Sequence, residues 1–312
     1  MTDLPVADFL SALLGSGLLL AVPLLLAALG EAFAERAGLL NLGIEGMMLG
    51  GAFAGFAVAL ETGRIAAGVA AGAALGVALG SGFGLLTIWL RVDQVLTGLA
   101  ITILGSGLTG FLYRDLYGGQ NRPLPTTAAR LDLPVLTDVP VVGRALFGQP
   151  LLVYLAWAAV PIAALVLGRT RFGLAVRAVG EAPFAADAAG IGVAQTRFAA
   201  ILIGGAAAGL GGAFLAVVDV RTFTDNMTLG QGFLALALTM LGRWRPWRIL
   251  AGALLFGMLR SLETGLPILG MDVRPEFVGM LPYLGLLAAL VVLARRAAMP
   301  AALGVPYERG RR

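Results

Sequence analysis

The 312-residue sequence contains no cysteine, no histidine and no lysine, so every one of its 22 basic residues is arginine. Without cysteine there are no disulfides, thiol nucleophiles or thiolate ligands, and without histidine most metal sites and His-dependent catalysts are excluded. A Gly-x-x-x-x-Gly-Lys-[Ser/Thr] phosphate loop cannot be written without lysine, so that route to ATP hydrolysis is closed to this chain. Charge is scarce as well, at 13% of residues, against about a quarter in a soluble domain. What fills the space is apolar: 59% hydrophobic residues and a mean hydropathy of +0.90. These values describe an all-α polytopic membrane protein. The formal charge of +4 suggests a nucleic-acid binder only until the arginines are placed. They stand singly at the ends of apolar runs, as membrane-flanking charge does, and no nucleic acid is expected. The start, MTDLPVADF, has no basic n-region, so the first apolar run is expected to be retained.

A bilayer needs about 20 apolar residues per helix. Runs of that kind lie near 11–29, 39–60, 65–90, 95–113, 150–168, 198–218 and 277–294. Two shorter pieces, 231–242 and 246–262, read as half-helices, re-entrant segments or marginal spans. The expectation is a single transmembrane domain over 1–312 with about eight to ten transmembrane helices, some broken or re-entrant, and a candidate inverted repeat. Arginine marks the cytoplasmic side. It gathers in the 169–197 loop (Arg169, Arg171, Arg177, Arg197), the 243–248 turn and the 295–312 tail, all read as cytoplasmic. The 114–149 loop and 219–230 then face outside. Gly68, Gly72, Gly76, Gly80 and Gly84 recur every four residues, a small-residue ridge for close helix packing, with no functional role assigned.

Polar groups interrupt three of the spans. In GLLNLGIEGMMLGGAF (38–53), Asn41 and Glu45 share a helix face. A carboxylate in hydrocarbon costs about 2.5 kcal/mol or more, so Glu45 must face a cavity, a partner or the interior, as an anchor or as part of a pathway. In DNMTLGQGFLALALTMLG (225–242), Asn226, Thr228 and Gln231 stand before an apolar run. Leu42-Gly43-Ile44-Glu45-Gly46 and Leu229-Gly230-Gln231-Gly232 are alike and enter from opposite sides, as the broken helices of an inverted repeat would. In RVDQVLTGLAITILGSGLTGF (91–111), Asp93 is interfacial, while Gln94 and Thr97 lie deeper. No cluster of metal ligands or paired carboxylates falls within the spans, so neither a metal site nor a membrane-embedded enzyme is expected.

RAVGEAPFAADAAGIGV (177–193) sits in the centre of the 169–197 loop. Pro183 suits a first helical position, Glu181 the positive helix end, and Gly190 a left-handed terminator. A helix over 183–189 has about two turns and cannot stand alone. Ala182, Ala185, Ala186 and Ala189 form a smooth stripe, and Phe184, Asp187, Ala188 and Ile191 form the opposite one. The helix either enters a groove of another protein or packs on its own bundle.

Gly180-Glu181-Ala182-Pro183, with Ala185-Ala186, Gly190-Ile191 and Val193, resembles the cytoplasmic coupling motif of ATP-binding-cassette importer permeases. The branch is that of the branched-chain amino acid, ribose and nucleoside permeases. ERAGLLNLGIEGMMLGGAF (35–53), DQVLTGLAITIL (93–104), GLAVRAVGEAPFAADAAGIGV (173–193) and the tail PAALGVPYERG (300–310) are most similar to nucleoside and simple-sugar permeases, over almost the whole chain. The chain lacks the Ile-x-Leu-Pro that often follows the coupling glycine in the wider family, which bears on docking geometry. The resemblance implies a permease subunit of a bacterial cytoplasmic (inner) membrane, importing nucleosides or a related sugar-like solute. Gly180, Glu181, Ala182, Pro183, Ala185, Ala186, Asp187 and Gly190 would couple it to a separate ATPase subunit. It also implies a second related permease or a second copy, an extracytoplasmic substrate-binding protein and membrane lipid as partners. No cofactor belongs to this chain; ATP and Mg belong to the partner ATPase. Under this resemblance the candidate pathway residues are Asn41, Glu45, Met47, Gln94, Thr97, Asn226, Gln231 and Phe233. The alternatives are a branched-chain amino acid or ribose permease, and an ion-coupled transporter using Glu45.

Overall fold

The computed structural model describes residues 6–131, 137, 139, 142–268, 275–293 and 299–308. Among them the chain is an all-α polytopic membrane protein, with six helices long and apolar enough to cross a bilayer. Helix α1 (Val6–Leu20) and α2 (Val22–Arg36) make one rod over Asp8–Arg36. It is interrupted at Ala21, because Pro23 has no N–H to offer the preceding turn. Next come α3 (Ile44–Thr62), α4 (Ile65–Gly84) and α5 (Gln94–Tyr117). Then follow the short α6 (Val142–Phe147) and α7 (Leu151–Arg169), α8 (Arg171–Glu181), α9 (Pro183–Ala188) and α10 (Val193–Phe214). The chain continues in α11 (Gln231–Leu241), α12 (Pro246–Ile268) and α13 (Pro275–Leu293). Helices α4 and α10 each run out into a π turn, Leu85–Trp89 and Leu215–Asp219. Each π turn is followed by a left-handed arginine, Arg91 (φ 57) or Arg221 (φ 60).

Two expectations from the sequence need correction. The first span does not end near residue 29: α2 continues to Arg36 and buries Glu31 and Glu35. The 169–197 segment is not an extended loop, since α8 fills 171–181 and α10 starts at Val193. Thr170 starts α8 by accepting a hydrogen bond from Gly173 N at 3.0 Å, an N-cap within an apparent loop. Part of the 114–149 loop and of the 295–312 tail lies outside the described residues.

Helix α10 lies at the centre, packed on α2, α3 and α4. The glycine ridge of α4 is what lets it approach. A Cβ on Gly72 would lie 2.7 Å from Gly51 O and 3.1 Å from Gly209 O, and one on Gly76 would strike Gly205 O. Backbone therefore meets backbone along the α3–α4–α10 seam, as small residues allow in lipid.

The arginine-bearing turns gather at one end of the molecule. Arg91 reaches Glu308 at 3.2 Å, and Arg36, Glu181, Arg243, Arg245 and Pro300 line one cavity there. Helices α2 and α11 run towards this arginine-rich end, while α3 and α10 run away from it. The two consecutive pairs α2–α3 and α10–α11 are thus opposite in direction, the sense an inverted repeat requires.

Candidate functional site

At the arginine-rich end the backbone dictates how α9 is held. Gly180 rests directly on the Arg36 carbonyl, where a Cβ has no room. Pro183 forces the residue before it out of the helical region, and Ala182 is extended at φ −147, ψ 75. Helix α9 then closes with Gly190 N donating to Asp187 O at 2.9 Å and Ile191 N to Ala186 O at 2.9 Å. Gly190 sits at φ +82, a glycine terminator of the Schellman kind. The helix expected over 183–189 is therefore present over Pro183–Ala188.

Its faces differ from those expected. Ala186 turns inward onto Val179 and Val193, beside Ile191 and Tyr307, and Asp187 is half-buried. Glu181, Ala182, Ala185, Ala188, Ala189 and Gly190 are exposed, and Phe184 of the opposite stripe is open as well. The extended Ala182 breaks the helical count that had put Ala182 and Ala186 on one stripe. Two cavities flank the helix. One of about 190 Å³ lies between Arg36, Glu181, Arg243, Trp244 and Arg245. The other, of about 440 Å³, is lined by Arg91, Asp187, Gly190, Gln195 and Tyr307 among others.

Far from that end, the starts of α3 and α11 meet. Glu45 Oε1 accepts from Thr228 Oγ1 at 2.5 Å and from Gly230 N at 2.9 Å, while Oε2 accepts from Gly232 N at 2.6 Å. The two backbone donors, Gly230 N and Gly232 N, are ones that a helix start leaves without intrahelical partners, and a carboxylate is the acceptor such a positive end favours. Gly232 is required here, because a Cβ would lie 2.6 Å from Glu45 N. The chain reaches this point through left-handed residues at Asn226 (φ 53), Leu229 (φ 48) and Gly230 (φ 82).

Helix α5 splints both irregular segments. Gln94 Oε1 accepts from Leu40 N at 2.7 Å and Thr102 Oγ1 donates to Leu42 O at 2.9 Å, holding the break before α3. Ser106 Oγ donates to Asn226 Oδ1 at 2.7 Å and Arg114 pairs with Asp225 at 2.8 Å, holding the loop before α11.

The eight candidate pathway residues therefore divide. Asn41, Glu45, Met47, Gln94, Thr97 and Gln231 are buried within the subunit. Asn41 donates to Glu31 Oε2 at 3.4 Å and accepts from Gly43 N at 3.1 Å, and Thr97 Oγ1 donates to Asp93 O at 2.8 Å. Asn226 and Phe233 are exposed. They share a face with half-buried Ser106 and with Leu229, whose carbonyl accepts from Tyr283 Oη at 3.3 Å.

Two carboxylates absent from the candidate residues are among the most buried groups in the molecule. Glu31 and Glu35 are both fully buried. Glu35 Oε2 accepts from Trp244 Nε1 at 2.5 Å, and the other oxygen of each carboxylate has no hydrogen-bond partner. Trp244 reaches inward from a turn in which Arg243 (φ 53) and Trp244 (φ 56) are both left-handed. The signal available in the sequence was the i, i+4 spacing of Glu31 and Glu35 directly after an apolar run. Among the described residues there is no group of three or more His, Cys, Asp or Glu able to hold a metal.

Residues 13–290 match the family described as branched-chain amino acid transport system / permease component. A guanosine ABC transporter permease protein of Bacillus subtilis is 37% identical, over 98% of this chain and 99% of that protein. A putative glucose ABC transporter permease protein of Haloferax volcanii is 37% identical, over 97% of this chain and 99% of that one. A nucleoside ABC transporter permease protein of Lactococcus lactis subsp. cremoris is 32% identical, over 97% and 98% respectively. No solved structure matches the chain.

Proposed function

The chain belongs to the family of branched-chain amino acid transport system permease components, and from that premise we propose that it is the membrane subunit of an ATP-binding-cassette importer for nucleosides. The observation that carries this reading is the likeness, along nearly the whole chain, to permease proteins named for guanosine and for nucleosides. The equal likeness to a glucose permease protein keeps the carried class among solutes that present sugar hydroxyls.

In this reading the arginine-rich end is cytoplasmic, the membrane is the inner one, and ATP and Mg belong to a separate ATPase subunit. The exposed side of α9, with Glu181, Ala182, Ala185 and Gly190, is where that ATPase docks. A second permease, related or identical, completes the pathway, and an extracytoplasmic binding protein delivers the solute. Because α8 rests through Gly180 on the last carbonyl of α2, a push on α9 reaches the break between α2 and α3. From there it reaches the junction at Glu45, and the subunit alternates between outward- and inward-facing states as packed elements shift against each other.

The exposed face carrying Asn226, Ser106, Tyr283 and Phe233 supplies the solute contacts. Its groups are neutral donors and acceptors with two aromatic rings, suited to ribose hydroxyls and a base and too weak to trap either. The decisive experiment is transport in proteoliposomes containing both permeases, the ATPase and the binding protein. ATP-dependent uptake of labelled guanosine is expected, with unlabelled nucleosides competing and leucine not. Uptake of leucine in place of any nucleoside would overturn the substrate class, and uptake driven by an ion gradient without ATP would overturn the importer reading.

A further inference from the structure

The last described residues, 299–308, form no helix and lie as a strap across the arginine-rich end. Ala302 N donates to Gly180 O at 2.9 Å, and Gly304 N donates to Gly38 O at 3.1 Å. Buried Arg197 donates from Nη1 to Val305 O at 3.0 Å and from Nε to Ala37 O at 3.1 Å. The Tyr307 ring lies 5.2 Å from that of Phe184 on α9, and Glu308 pairs with Arg91, just before α5, at 3.2 Å. The strap thus touches α8, α9, α10, the break before α3 and the foot of α5.

All of these contacts use its inner side or its backbone. The outer side is apolar and open: Met299 is 60% exposed, Val305 is 51% exposed, and Pro306 is exposed. Phe184, at 49% exposed, joins this side to the open alanines of α9. The strap and α9 thus meet at the Phe184–Tyr307 contact with exposed apolar side chains on both sides of it, the kind of surface that suits a protein partner.

We infer that the strap is the second half of the ATPase-docking surface, with Val305 and Pro306 making contact beside α9 and the Phe184–Tyr307 pair forming the seam. The inference rests on the importer reading. It explains why ten residues with no helix of their own are fastened at five places. An ATPase seated on both would move α9 and the foot of α5 together, because Tyr307 holds the strap to α9 and Glu308 holds it to Arg91.

The chain has no cysteine, so a single introduced thiol reports on its own position. The Val305 side chain is open, and its bonds use backbone atoms alone, the N–H to Ala302 O and the carbonyl to Arg197, so Val305→Cys leaves the strap intact. Val305→Cys and, on α9, Ala185→Cys are each labelled with a polar maleimide in lipid nanodiscs holding the permease pair, with and without the ATPase. Both are expected to label readily alone and to slow at least about tenfold when the ATPase is bound, as positions in a well-packed interface core do. Protection of Ala185→Cys without protection of Val305→Cys overturns the inference and leaves the importer reading standing. Protection of neither, with the ATPase shown to be absent from the purified complex, overturns the importer reading as well. A Val305→Cys thiol already blocked before the ATPase is added is covered by lipid or by the second permease, and that also overturns the inference.

Discussion

Glu45 stands in the first turn of α3 and Glu181 closes α8 just before α9, and the structure treats them in opposite ways. Glu45 is buried and accepts three hydrogen bonds of 2.9 Å or less from the approach to α11 and its first turn. Glu181 is exposed before α9 and accepts a long hydrogen bond, 3.5 Å, from Ala301 N. Around Glu45 there is no room even for a methyl group on Gly232, whereas around Gly190 nothing lies within 4 Å. The first carboxylate is built into the fold. The second is held in place but left open, as a group kept for a partner would be.

Four substitutions test that difference, and the largest effect belongs to the buried glutamate. Glu45→Ala removes the acceptor from one hydroxyl and two backbone N–H groups; at about 1–3 kcal/mol for each buried donor left alone, it should cost more than about 3 kcal/mol. A fall in melting temperature and in folded yield would be the readout, and an unchanged melt would break the comparison. Glu45→Gln keeps one acceptor oxygen and should cost about 1–2 kcal/mol, with uptake still dependent on ATP. Loss of uptake by a folded Gln variant would point to an ion site instead.

At the open end the effects should move from stability to coupling. Gly190→Val puts a β-branched residue at φ +82, a strain of about 1–2 kcal/mol borne locally by the α9 terminus. The subunit should stay folded while transport-coupled ATP hydrolysis drops, measured in the assembled complex. Glu181→Ala should change stability by no more than about 0.5 kcal/mol, yet raise the ATP consumed per solute imported. Equal coupling in both variants would erase the functional contrast between the two glutamates.

Much of this was legible in the sequence because it rests on local rules. Pro183 and Gly190 bracket a two-turn helix wherever they are placed, and the paired Leu-Gly-x-Glu-Gly and Leu-Gly-Gln-Gly segments do lie at helix starts that meet. The glycine ridge of α4 packs as four-residue spacing requires. What stayed hidden depends on distant partners. Glu31 and Glu35 lie past the point where hydropathy ends the first span, and the indole that stabilises Glu35 is 209 residues away. The partners of Asn41 and Gln94, Glu31 and the Leu40 amide, are set by a break of the chain whose shape hydropathy does not encode. The inward turn of Ala186 follows from one extended residue, Ala182, which a continuous helical count passes over.

The meeting of α3 and α11 has an electrical consequence. Each helix start is equivalent to roughly half a positive charge, and Glu45 places one negative charge between the two, so the junction sums to about zero. Carrying a full charge through a membrane potential costs about 2.3 kcal/mol per 100 mV. In the importer reading, a neutral junction that moves through that field does no work against it, and transport is then expected to be independent of voltage at this joint.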